Sequence, residues 1–225
     1  HIDDFATWIA DLRMFWSGWK SENPGPHVVM AHSMGGHLAM RALVEKAIDP
    51  DAVVMSAPML SIQTGGLPLS WNHAFAKLMV TLGKGEVAAW KVSEKPMSPM
   101  SMRGKMLTHD DDRYEDEIAW WKLRPNVKLG PPSWHWIERA IASIRMLEAP
   151  GLLEAVQTPI LLLATTGDQL VSTPRVIADG KRLPHAETLI FGKEAAHELL
   201  READPVRDQC IARINSFLDA NAPRT

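Results

Sequence analysis

Residues 27–45 read His27-Val-Val-Met-Ala-His-Ser-Met-Gly-Gly-His-Leu-Ala-Met-Arg-Ala-Leu-Val-Glu45. A short apolar run, Val28 to Met30, meets a serine framed by small residues, and a helical pattern begins at once. A strand that feeds a helix through so short a turn lifts the residue at the turn above the sheet. With serine there, the layout is that of a nucleophile elbow. The five central residues are Ala31-His32-Ser33-Met34-Gly35, with Ala in place of the first Gly of the pattern. Small residues on both sides of Ser33 are expected, because the two backbones pass close together. Met34 opens the helix, so its backbone N–H is a candidate oxyanion donor. The alternative is a serine in an ordinary strand–helix turn, and the pentapeptide alone does not separate the two.

Working outward, Phe5, Trp8, Ile9, Leu12 and Phe15 form an apolar stripe with helical spacing behind Asp3-Asp4, and Asn23-Pro-Gly-Pro26 ends it. After the elbow helix, Ala52-Val-Val-Met-Ser-Ala57 is a second strand, and Pro159-Ile-Leu-Leu-Leu-Ala164 a third. Both are apolar without alternation, as parallel strands covered on both faces are. Glu187 to Phe191 is a fourth strand, and Pro205 begins a last helix with Val206, Cys210, Ile214, Phe217 and Leu218 inward. Between the second and third strands the pattern is helical. His73–Leu82 carries Phe75, Leu78, Met79 and Leu82 on one side, a second helix runs from Asp110 to Leu123, and Trp134, Ile137, Ile141 and Ile144 mark a third. Lys95 to Met102 is irregular, and Leu152–Val156 reads as a short helix. An insertion of about ninety residues is longer than a crossover requires. The expected organisation is a core in two parts, 1–59 and 151–225, with a helical cap over 60–150.

Composition sets the outer bounds. The chain has 225 residues, 46% of them hydrophobic, and a net charge of -3. That is globular, and the net charge gives no electrostatic case for a nucleic-acid partner, which needs a basic face. One cysteine, Cys210, allows no internal disulfide. No apolar run reaches the ~20 residues that cross a bilayer as a helix.

The ends of three strands carry reactive side chains. Ser33 follows the first, Asp168 the third and His197 the fourth. A serine nucleophile needs a base, and the base needs an acid to fix its tautomer. Such groups gather beyond the carboxyl ends of parallel strands. The order Ser, Asp, His is the one this type of elbow uses. Singly, Asp168 reads as a turn residue and His197 as a surface or capping residue. Together, in order and at strand ends, they read as a triad. His32 is expected to point away from the site and to be structural.

The chain resembles an α/β-hydrolase of the bacterial lysophospholipase and monoacylglycerol-lipase-like group. The resemblance rests on Ala31-His-Ser-Met-Gly-Gly36, Val54-Met-Ser-Ala-Pro-Met-Leu60, Leu107-Thr-His-Asp110, Gly130-Pro-Pro-Ser-Trp-His-Trp136, Gly167-Asp-Gln-Leu-Val171 and His197-Glu-Leu-Leu-Arg-Glu202, in order along nearly the whole chain. It implies a serine ester hydrolase with a helical cap and neither metal nor organic cofactor. The implied substrate is a small-molecule ester of lipid-like character, a lysophospholipid or a monoacylglycerol. It implies a cytoplasmic or membrane-peripheral protein and leaves the oligomeric state open. Members of the group carry further strands before the elbow, and a loop among them gives a second oxyanion N–H. Here only one helix precedes the first strand. Those strands and that donor are therefore expected outside this chain, leaving the first strand as an exposed apolar edge. An acyltransferase on the same scaffold and a non-catalytic binding module remain the alternatives.

Overall fold

A computed structural model describes residues 2–90, 102–127 and 129–223. The irregular stretch read at residues 95–101 lies outside them. Four strands, β1 (Val28–His32), β2 (Ala52–Ser56), β3 (Ile160–Thr165) and β4 (Ala186–Phe191), form one sheet in the order β1-β2-β3-β4. All pairs are parallel, with Val28 opposite Ala52, Val53 opposite Ile160 and Ile160 opposite Ala186. Every residue of β2 and β3 is buried. The reason is coverage on both faces. Val53, Met55, Ile160 and Leu162 pack toward helices α1 (Phe5–Glu22), α2 (Met34–Val44) and α7 (Thr173–Gly180). Ala52, Val54, Leu161 and Leu163 face α8 (Asp204–Asn221) through Val206, Cys210, Ile214 and Phe217. Among the described strands β1 lies at the edge, and its Met30 is 54% exposed.

Helix α1 starts where Asp4 accepts the Ala6 N–H at 2.8 Å, an N-cap that satisfies one orphan donor. Its buried face is Phe5, Ile9 and Trp16, with Phe15 turned to solvent, so the stripe read from the sequence holds except at its last member. Trp16 packs into the core with Ile9, Met40 and Leu43 in place of Phe15, and its indole N–H reaches the exposed Asp49 carboxylate at 2.7 Å.

Between β2 and β3 lie α3 (Leu69–Met79), α4 (Met102–Leu107), α5 (Asp111–Leu123) and α6 (Trp134–Met146). Helix α6 buries Ile137, Ala140, Ile141 and Ile144, as its spacing predicts. Helix α3 does not follow its apolar spacing. Its buried residues are His73 and Ala76, while Phe75, Leu78 and, one turn further on, Leu82 are exposed. On the inward side His73 Nε2 lies 3.1 Å from Glu138 of α6, a carboxylate only 1% exposed. The Arg145 guanidinium donates to the other ring nitrogen of His73 at 3.3 Å. An almost fully buried carboxylate has to be paired, and Glu138 is paired by both His73 and Arg139. Beside that contact Ala76 of α3 packs on Ile137 and Ile141 of α6, so a polar contact and small-residue packing turn the same side of α3 inward. Residues 151–155 form turns and not the short helix expected there.

Candidate active site

The β1–α2 turn is tight enough to force Ser33 to φ 52° and ψ -119°. A non-glycine residue there costs on the order of 1–3 kcal/mol, and such strain persists only where the surroundings over-determine it. They do so here. The Ser33 N–H donates to the Ser56 carbonyl at 3.0 Å, and the Ser33 carbonyl accepts from Met59 at 2.9 Å. The close approach falls one residue later than expected. A Cβ on Gly36 would stand 2.7 Å from the Pro58 side chain, whereas one on Gly35 would meet nothing. Helix α2 thus leans on the turn that follows β2.

Asp168 lies three residues past β3. One carboxylate oxygen accepts the N–H groups of Leu170 and Val171 at 2.8 and 2.9 Å, leaving the other free to face His197. His197 stands on the loop after β4. That loop is held from inside by Thr165, whose hydroxyl donates to the carbonyls of Gly192 and Ala195. Gly167 permits the two loops to meet, since a Cβ there would stand 2.3 Å from the Ala195 carbonyl oxygen. The three side chains come together. His197 Nδ1 is 2.7 Å from Asp168 Oδ2, and its Nε2 is 2.9 Å from Ser33 Oγ. Asp168 and His197 are 5% and 3% exposed, so the pair is shielded while Ser33 at its tip is only half-buried. In this arrangement Nδ1–H donates to Asp168 and the Nε2 lone pair accepts from the serine hydroxyl. Met34 is the first residue of α2, where a helix leaves backbone N–H groups unbonded.

His32 does not point away. Its ring centre is 4.8 Å from that of His197, and its Nδ1–H donates to the Ser56 carbonyl at 3.1 Å. Two further contacts escaped the sequence reading. His37 of α2 is fully buried, with Nε2 2.6 Å from Ser143 Oγ of α6, and Arg41 donates to the same hydroxyl at 3.0 Å. Burial, and then the Arg41 charge, push His37 down to about 3. Glu202, 0% exposed, joins His109 to the His197 loop. The only signal for these was that His109 and Glu202 sit within two of the matched motifs. Cys210 is no rival nucleophile, since burial pushes its thiol up to about 11. Among the described residues no three His, Cys, Asp or Glu side chains gather as a metal site, and no helix is long and apolar enough to cross a membrane.

A parallel sheet flanked by helices, with a strained serine turn at the end of one strand, defines an α/β-hydrolase. The match of residues 1–204 to the Hydrolase_4 family, described as Serine aminopeptidase, S33, places the class more narrowly: the chain belongs to that family. It is 26% identical over 243 residues to Lysophospholipase L2 of Escherichia coli strain K12, covering 99% of this chain and 67% of that protein. Among solved structures it resembles a soluble variant of the monoglyceride lipase of Saccharomyces cerevisiae, with a TM-score of 0.72 at 15% identity, covering 98% of this chain and 71% of that one. A thermostable carboxyl esterase from Bacillus coagulans matches with a TM-score of 0.69 at 18% identity, covering 98% and 73%. At those identities the structural likeness speaks for the fold alone.

Proposed function

We propose that this protein cleaves esters of single-chain lipids, a lysophospholipid or a monoacylglycerol, through an acyl-enzyme formed on Ser33. That it is a carboxylic ester hydrolase rests on the family and on a lysophospholipase relative that matches nearly the whole chain. The observation that carries the mechanism is the line from Ser33 Oγ through His197 to Asp168, at 2.9 and 2.7 Å.

In this reading His197 Nε2 takes the Ser33 proton as Oγ attacks the ester carbonyl. Negative charge builds on the carbonyl oxygen beside the Met34 N–H, at the positive end of α2. The imidazolium is stabilised by Asp168, which stays ionised. His197 then hands its proton to the leaving alcohol. Water, deprotonated by the same nitrogen, attacks the acyl-enzyme and frees Ser33. Residues 60–150 act as a cap over this centre. An apolar acyl chain is favoured because Trp136 of α6 and Met34 share one apolar cluster with Ala57, Met59 and Val171 beside the turn.

A fluorophosphonate probe should label the protein and fail to label Ser33→Ala; equal labelling of both sinks the nucleophile. Initial rates on p-nitrophenyl esters from acetyl to palmitoyl, on lysophosphatidylcholine, on monoolein and on an aminoacyl arylamide test the substrate. Long acyl esters and at least one of the two lipids should be the best substrates. Preference for acetyl esters or for the arylamide overturns the lipid reading. Added glycerol that diverts most of the acyl group from water would make the protein a transferase.

A further inference from the structure

We propose that Glu202 is a positioning residue for His197, and that it fixes His197 to the 106–113 segment of the cap as well as to the sheet. This rests on the reading of His197 as the base. Three consecutive backbone N–H groups around the histidine are each held by an acceptor from outside the loop. The Ala196 N–H donates to the Glu202 carboxylate at 2.7 Å, that of His197 to the Met106 carbonyl at 3.3 Å, and that of Glu198 to the Leu107 carbonyl at 2.8 Å. Two of these acceptors lie at the end of α4, about ninety residues away in sequence.

Glu202 is where the two sides join. Its carboxylate also accepts from the His109 backbone N–H at 3.1 Å, from His109 Nδ1 at 2.9 Å and from the Ala203 N–H at 3.3 Å. A carboxylate with 0% exposure carries a heavy desolvation cost, offset here by four donors. Removing it would leave the peptide N–H just before His197 without its partner and release His109. Neighbouring contacts repeat the pattern. The Thr108 hydroxyl donates to the Arg201 carbonyl at 2.8 Å, Arg113 donates to the Glu202 carbonyl, and Arg201 donates back to the Arg113 carbonyl. Glu202 touches neither Ser33 nor the reacting atoms. It acts through the backbone of the loop that bears the imidazole.

The test compares the full chain with Glu202→Ala, Glu202→Gln and His109→Ala. Steady-state rates are taken on p-nitrophenyl butyrate, and the downfield proton resonance of the His197–Asp168 hydrogen bond is followed by NMR. A histidine displaced by even 1 Å costs ~10²-fold. Glu202→Ala should therefore lose ~10²-fold in kcat with KM within about twofold, and its downfield resonance should broaden or vanish. Glu202→Gln, which keeps one acceptor oxygen, should recover most of that loss. His109→Ala should fall between wild type and Glu202→Ala. The proposal is overturned if Glu202→Ala keeps kcat within twofold, if KM alone rises, or if kcat falls while the resonance stays sharp and unmoved. Should Glu202→Ala fail to fold, His109→Ala decides, since His109 is exposed: unchanged kcat and resonance overturn the proposal. If the wild type hydrolyses no ester, the functional reading fails instead, and the resonance alone still tests the positioning.

Discussion

The sheet and the helical segment between β2 and β3 bury their side chains by different rules. In the sheet, apolar residues go inside: Leu161, Leu162 and Leu163 are 0% exposed. In the helical segment α6 follows that rule, but α3 turns His73 and Ala76 inward, and Trp71, Phe75, Leu78 and Leu82 are left 68, 51, 52 and 59% exposed. Both regions follow the same physics. A strand covered on two faces has no outward side, so its burial is settled by composition. A helix lying on a surface has two sides, and the side turned inward is the one whose partner cannot remain in water. For α3 that side carries His73, which meets the buried Glu138, and Ala76, which packs on Ile137 and Ile141.

The contrast can be tested from its largest expected effect downward. Ser33 sits where the sheet concentrates its chemistry. Ser33→Ala should lower kcat by at least ~10⁴-fold on any ester cleaved by the wild type, a stopped-rate measurement. Ser33→Gly should be equally inactive yet unfold in urea about 1 kcal/mol later than Ser33→Ala, because glycine accepts φ 52° without strain. In the sheet, Leu161→Ala should cost about 2–5 kcal/mol by urea denaturation, the range for a buried leucine with nowhere to collapse. A cost below 1 kcal/mol would mean the sheet packs loosely.

The seam between the two regions should respond to acid. His37 is held neutral, far below the ordinary imidazole value of 6.5. Between that value and about 3 the unfolded chain binds a proton that the folded protein refuses. Stability therefore rises with pH through this window and is lost on acidification below about 6.5. Going from pH 6 to 5, the wild type should lose up to about 1.4 kcal/mol more than His37→Leu. Parallel pH profiles for the two proteins would show that the ring is not the cause. On the outer side of α3, Leu78→Ala should change stability by less than about 0.5 kcal/mol, since an exposed side chain leaves no cavity. A loss comparable to that of Leu161→Ala would show that this face is covered in solution.

The same contrast explains what could be read beforehand. Strands β2 and β3 were legible because unbroken apolar runs admit one reading. Ser33, Asp168 and His197 could be brought together from order and strand ends alone, because a parallel sheet delivers all its carboxyl ends to one edge. The inward face of α3 could not be read, since it depends on His73 meeting Glu138 across 65 positions of sequence. The turn of His32 toward His197 was misjudged for a similar reason: the Ser56 carbonyl that orients its ring belongs to the next strand. The junction of residues 106–109 with 196–198 could not be read as a contact, although His109 and Glu202 lie in matched motifs, because two of its hydrogen bonds join backbone groups that every residue carries.

Gly167 has one more consequence. With no room for a Cβ between it and the Ala195 carbonyl, the turn after β3 and the loop after β4 behave as a single interlocked part. Anyone building chimaeras from such chains can treat residues 165–168 and 192–197 as one cassette, to be exchanged whole or not at all. On the exposed outer side of α3, Phe75 still meets the Trp134 ring edge-on at 5.2 Å, whereas Leu78 can be exchanged by itself.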